Sequence, residues 1–136
     1  MNQLIRVGTT YIPVRDVRAA SEWYVEKLNA GLNYLDGDKA ILDLAGHSMF
    51  LVSSPEGESS NFMDRHQQKR FSITFEVNGL NELNELRDEL KSKDVEIGEI
   101  EDRGHGGRNF IFYDSDGNCF DVWSVLSPDF KKAYQL

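Results

Sequence analysis

The stretch "YDSDGNCFDVWS", Tyr113 to Ser124, reads as a strand, a tight turn and a second strand whose single acidic residue, Asp121, sits amid apolar and aromatic neighbours. A carboxylate so placed serves as a metal ligand, as an acid or base, or as a structural acceptor satisfied by a partner. Along "RFSITFEV", 70 to 77, alternation sets Phe71, Ile73, Phe75 and Val77 on one face and Ser72, Thr74 and Glu76 on the other. Glu76 is therefore a second carboxylate on a polar strand face. Two carboxylates in one pocket favour proton transfer, whereas a glutamate facing solvent at a strand end needs no chemistry.

The loop "DRGHGGR", 102 to 108, carries His105 between Arg103 and Arg108. Its glycines permit close backbone approach, but the spacing is not that of a phosphate-binding loop. His105 is a candidate acid or base, set against the ordinary reading of a surface histidine. Arg108 is the candidate for fixing an anionic or carbonyl-bearing ligand. Tyr11, Phe50 and Trp123 form a candidate aromatic wall for a flat or cationic ligand, with simple packing as the alternative.

The elements that must position these residues repeat. Alternation over 4 to 14 puts Thr10, Ile12 and Val14 on one face and Thr9 and Tyr11 on the other. Asp16 stands at a helix N-cap, Val17, Ala20, Trp23, Tyr24 and Leu28 recur at helical spacing, and Gly31 supplies a stop. Strands are expected at 32 to 35, 40 to 44 and 48 to 53, with turns at "DGD" and "AGH". After a polar, aperiodic connector at 54 to 70, the pattern recurs. The strand at 71 to 77 leads to a helix capped by Asn78, with Leu80, Leu83, Leu86 and Leu90 as its apolar stripe. Strands follow at 95 to 97, 109 to 113 and 119 to 124, and 125 to 136 is a C-terminal tail.

The expected fold is thus α+β, one domain over 1–136 with βαβββ modules at 4–53 and 71–124. Superposing the halves sets Thr9 against Ser72 and Phe50 against Asp121. Each helix covers one sheet face, so two curved mixed sheets side by side leave a cleft, lined by Thr9, Tyr11, Phe50, Ser72, Thr74, Glu76, Asp121 and Trp123.

The two halves, "YIPVRDVRAASEWY" and "GGRNFIFYDSDGNCFDVWS" resemble the vicinal oxygen chelate superfamily, which includes glyoxalases, bleomycin-resistance proteins and extradiol dioxygenases. The resemblance implies metal ligands in the first, fourth, fifth and eighth strands. Those slots hold Thr9, Phe50, Ser72 and Asp121, of which only Asp121 is a strong ligand. None of His47, His66 and His105 falls at a slot. No cofactor is therefore expected, and a divalent metal is disfavoured. Asp121 then contacts a ligand or accepts a hydrogen bond from Thr9 or Ser72.

The expected function is metal-free binding of a small organic molecule in an aromatic cleft. The alternative is an enzyme (a lyase, isomerase, dioxygenase or thiol transferase) that uses a displaced metal or His105, Glu76 and Asp121 as acid and base. The resemblance also implies a homodimer.

Composition bounds the partners. A net charge of −8 repels nucleic acid, and "HQQKR" at 66 to 70 is a short basic cluster without stacking aromatics. No apolar run approaches the ~20 residues of a membrane span. The N-terminus lacks secretory-signal features, so a cytoplasmic location is expected. The single cysteine, Cys119, reads as a small core hydrophobe.

Overall fold

The computed structural model describes residues 3–136, and the chain divides into two units between Ser59 and Ser60. In the first unit, β1 (Thr9–Val14), α1 (Val17–Leu28), β2 (Gly31–Leu35), β3 (Lys39–Leu44) and β4 (His47–Ser53) follow the expected βαβββ order. The sheet runs β1-β4-β3-β2, with β1 and β4 parallel and the other pairs antiparallel. Alternation along the three contiguous strands buries Ile12, Val14, Ala40, Leu42, Met49 and Leu51, while α1 contributes Val17, Ala20 and Tyr24 to the core. Tyr11 is 63% exposed, as its opposite face requires.

Local chemistry sets the ends of these elements. The Asp16 carboxylate accepts from the backbone N–H groups of Arg18 and Ala19 at 3.0 and 3.1 Å, the geometry of an N-cap. The helix stops at Asn29, held in the left-handed region at φ 57°, rather than at Gly31, which already belongs to β2. Asparagine tolerates that conformation better than most residues, so no glycine is needed there. Ala45 and Gly46 both take positive φ, the pattern that joins β3 to β4 in a tight hairpin.

The second unit contains β5 (Phe62–Met63), β6 (Lys69–Arg70), β7 (Thr74–Glu76), α2 (Leu80–Ser92), β8 (Asn109–Tyr113), β9 (Cys119–Trp123) and α3 (Pro128–Tyr134). Its main sheet runs β7-β9-β8, again with first and last strands parallel. Thr74 pairs with Asp121 as Tyr11 pairs with Phe50, so the register of the repeat follows the superposition of the halves. Phe75, Phe112 and Phe120 cluster with ring centroids 5.4 to 6.2 Å apart, and Phe110, Val122, Leu83 and Leu90 are buried.

Several expectations need correction here. The connector contains a short hairpin in which β5 and β6 pair, and the Asp64 carboxylate closes their turn by accepting from the N–H groups of His66 and Gln68. Two residues per strand are too few to show a period in sequence. The strand expected over 71 to 77 is confined to Thr74–Glu76. The stretch 95 to 97 forms only an isolated bridge, Ile97 to Phe112. Next along, the Gly98 carbonyl is taken by Arg87 Nε at 2.9 Å and is lost to a ladder.

The N-cap of α2 is Gly79 at φ 107°, whose N–H bonds the Ser124 carbonyl, and Asn78 stays exposed. The leucine stripe is narrower than expected, since Leu80 is 48% exposed. The C-terminal tail contains α3, which starts with Ser127 at the N-cap and Pro128 at the first position. Among the described residues no helix is long and apolar enough to cross a membrane.

Candidate functional site

Three strands of the second unit bring polar side chains to one face. Parallel register sets Thr74 beside Asp121 and Glu76 beside Trp123, while antiparallel register sets Asn109 beside Trp123 and Ile111 beside Asp121. The alternate residues Phe75, Val122, Phe110 and Phe112 take the opposite face.

Asp121 is only 2% exposed, yet each carboxylate oxygen has a counterpart. Oδ2 accepts from Thr74 Oγ1 at 2.9 Å and from Asn109 Nδ2 at 3.0 Å. Oδ1 lies 3.0 Å from a terminal guanidinium nitrogen of Arg103, an ion pair without the alignment of a hydrogen bond. Arg103 also donates through Nε and Nη2 to Glu101 Oε2, at 3.2 and 2.7 Å. Burial works against the Arg103 charge, but Glu101 and Asp121 outweigh it and hold the guanidinium above its ordinary pKa. Asn109 Oδ1 is buried and makes no hydrogen bond.

Asp121 lies at the wall of a cavity of about 760 Å³, lined also by Phe71, Thr74, Glu101, Arg103, Asn109 and Trp123, with Gln68, Arg70 and His105 completing it. The Phe71 ring carries two guanidinium groups, Arg70 and Arg103, each 5.5 Å from its centroid. Trp123 Nε1 donates to the Gly106 carbonyl at 2.8 Å, which fixes the indole, and His105 meets that indole edge-on at 5.7 Å. His105 Nδ1 lies 2.8 Å from the same carbonyl. A carbonyl can only accept, so Nδ1 carries the proton and, in the neutral ring, Nε2 is the acceptor.

Of the site residues expected from sequence, the cavity brings together Thr74, Asp121, Trp123 and His105. Ser72 lies outside its lining and donates to the Ser60 carbonyl at 3.1 Å. Glu76 is occupied elsewhere: its carboxylate accepts from the N–H and the hydroxyl of Ser127 at the start of α3. Arg108 turns away to the Gly107 carbonyl and to Asp102, and the arginines that line the cavity are Arg70 and Arg103.

Thr9, Tyr11 and Phe50 belong to the first unit. There Thr9 donates to the Ser48 carbonyl at 3.0 Å, and the Tyr11 and Phe50 rings lie 4.9 Å apart. Asp121, expected to accept from Thr9 or Ser72, accepts from Thr74 and Asn109 instead. Alternation along β8 was a signal for Asn109; nothing in the sequence pattern singled out Arg103, Arg70 or Phe71.

Taken residue by residue, the four slots that the resemblance implies supply one strong donor, Asp121. Thr9 and Ser72 are neutral hydroxyls bonded to backbone carbonyls, Phe50 has no donor, and a guanidinium faces Asp121 Oδ1. Among the described residues no group of three or more His, Cys, Asp and Glu side chains could hold a metal. His47 Nε2 pairs with Thr10 Oγ1 at 2.8 Å.

A smaller cavity of about 170 Å³ shares Phe71 and Arg103 and adds Lys69, Tyr113 and Cys119. Burial pushes both the Cys119 thiol and the Tyr113 hydroxyl above their ordinary pKa, which makes Cys119 a poor nucleophile.

Comparison with known proteins matches residues 6–122 to the family model of the Glyoxalase/Bleomycin resistance protein/Dioxygenase superfamily. No match is found among curated protein sequences. Among solved structures, a mutant of the genomically encoded fosfomycin resistance protein FosX from Listeria monocytogenes, complexed with Mn(II) and 1S,2S-dihydroxypropylphosphonic acid, is similar at 19% identity. Its TM-score is 0.74, over 97% of this chain and 99% of that one. Lactoylglutathione lyase from Agrobacterium tumefaciens is similar at 16% identity and TM-score 0.68, over 90% of this chain and 95% of that one. An integron cassette protein from the Halifax Harbour sewage outfall matches at 17% identity and TM-score 0.71, over 90% of this chain and all of that one. Similarity at these identities is similarity of fold.

Proposed function

Since the chain belongs to the Glyoxalase/Bleomycin resistance protein/Dioxygenase superfamily, we propose that it binds a small organic molecule in the cavity of its second unit without the divalent metal found with the manganese-bound relative. The observation that carries this reading is the seating of Asp121, whose oxygens face Thr74, Asn109 and Arg103. A carboxylate compensated from within the chain has little left to offer a metal, and the other three slots supply no strong donor. Phe71 and the fixed Trp123 indole provide the apolar surface a small ligand would bury.

The test is elemental analysis of protein purified without chelator or histidine tag, followed by thermal shift with zinc, nickel, manganese and iron(II). No bound metal and no shift are expected. Stoichiometric metal that disappears in Asp121→Ala would overturn the reading.

A second reading, an enzyme working by proton transfer, is favoured by one observation. His105 lines the same cavity with its proton fixed on Nδ1, so Nε2 is available as a base. Deuterium exchange into a bound carbonyl compound, present in wild type and absent in His105→Ala, would establish it. We also read the protein as a C2 homodimer, a state that a monomer mass by light scattering at micromolar concentration would refute.

A further inference from the structure

We propose that Arg103, seated on Asp121, recognises ligands through an oxygen acceptor, a carboxylate or a carbonyl. The inference rests on the reading of the cavity as a small-molecule site. A guanidinium has five N–H bonds to donate. Two N–H bonds are spent on Glu101, from Nε and Nη2, and Nη1 is ion-paired with Asp121. The remaining N–H bonds, on Nη1 and Nη2, make no hydrogen bond, on a side chain that is 27% exposed and lines the cavity.

The group is also held in place before any ligand arrives. Two carboxylates fix its position, and the Phe71 ring lies under it at 5.5 Å. Little rotamer freedom is then left to lose on binding, which is where a flexible cation spends much of its interaction energy. A surface arginine without these partners would lack that advantage.

The charges of the lining decide how broad the ligand class is. Arg70 and Arg103 are balanced by Glu101 and Asp121, so the cavity does not demand an anion. Ligand choice falls to the free donors and the aromatic surface, and both a flat carboxylate and a flat neutral amide meet that requirement. A flat ammonium compound has no acceptor to offer Arg70 and Arg103.

Benzoate, benzamide and benzylamine separate these cases. Each is titrated into wild type and Arg103→Lys by ligand-observed NMR, and the Arg103 Nε–H resonance of labelled wild type is followed at the same time. Benzoate and benzamide are expected to bind competitively, to shift that resonance, and to weaken about tenfold or more in Arg103→Lys, which keeps the charge but loses the planar fork. Benzylamine is expected not to bind. Binding of benzylamine alone, or of benzoate with an unmoved Arg103 resonance, overturns the role of Arg103 and leaves the cavity reading intact. Binding of none of the three overturns the inference; the cavity reading falls with it only if a wider aromatic library is also silent. Should Arg103→Lys fail to fold, the wild-type resonance still decides.

Discussion

Trp123 Nε1 and the Gly106 carbonyl meet at 2.8 Å, which ties the loop 102 to 108 to the end of β9. The neighbouring Gly107 makes the tie possible. It sits at φ 77°, and a Cβ there would come within 2.6 Å of Val125 Cγ2, 2.7 Å of Ser124 Oγ and 2.9 Å of Trp123 Nε1. Gly107→Ala therefore has to lift the loop from the strand. We expect a loss of about 1 to 3 kcal/mol from strain and overpacking together, read as a lower denaturation midpoint, with a changed Trp123 indole N–H resonance. An unchanged resonance would show that the loop is not held by this bond.

The Arg103 and Asp121 pair makes a prediction about stability that is separate from ligand choice. Asp121 is 3% exposed at its side chain and Arg103 27%, so the carboxylate carries most of the desolvation cost. Arg103→Met leaves that carboxylate buried without its cation and should cost about 2 to 4 kcal/mol. Arg103→Met combined with Asp121→Asn removes both charges and should recover a good part of the loss. A double variant as unstable as the sum of the single ones would mean that the two residues do not act as a pair.

Asn109 supports the same carboxylate from the neighbouring strand, donating at 3.0 Å to Asp121 Oδ2. Removing a hydrogen bond to a charged acceptor costs about 1.5 to 3 kcal/mol, so Asn109→Ala should fall in that range by urea denaturation. Asn109→Asp places a second carboxylate against the first and should be worse than alanine. If aspartate were tolerated better, Asn109 would not be a donor to Asp121.

Glu76 was legible in sequence as a carboxylate on the cleft face but not as the anchor of α3. It takes both the N–H and the hydroxyl of Ser127. Glu76→Ala should cost about 1 to 2 kcal/mol, the scale of a lost helix cap, and should speed amide exchange across Pro128–Tyr134 while leaving β7 protected. Equal loosening of β7 and α3 would assign the effect to the sheet instead.

These cases show what the sequence could convey. Period-two and helical patterns carried the repeat, the sheet faces and the Asp16 cap, because those features follow from residues close in the chain. The seat of Asp121 depends on Arg103, 18 positions away in a glycine-rich loop with no period. Such a loop is placed by contacts such as Trp123 to Gly106, which only the folded chain defines. The same limit hid β5 and β6, whose turn is closed by the Asp64 side chain rather than by a strong strand pattern. Ser127 followed by Pro128 was a readable helix start that strand patterning overshadowed.

Cys119 and Tyr113 give the protein an alkaline limit. Burial raises the pKa of both groups, and their mutual proximity adds to the rise at Tyr113. The folded protein thus keeps these protons at pH values where the unfolded chain has begun to release them. Fewer protons bound in the unfolded state means that stability falls as pH rises. The contribution is intact below the ordinary thiol value of about 8.5 and is lost progressively above it. Urea midpoints of wild type should decline over that range more steeply than those of Cys119→Ala, which has no thiol to ionise. At pH 8 the native thiol should also react with iodoacetamide far more slowly than the unfolded chain does. Parallel wild-type and Cys119→Ala profiles, together with rapid native alkylation, would show that the thiol is neither buried nor raised.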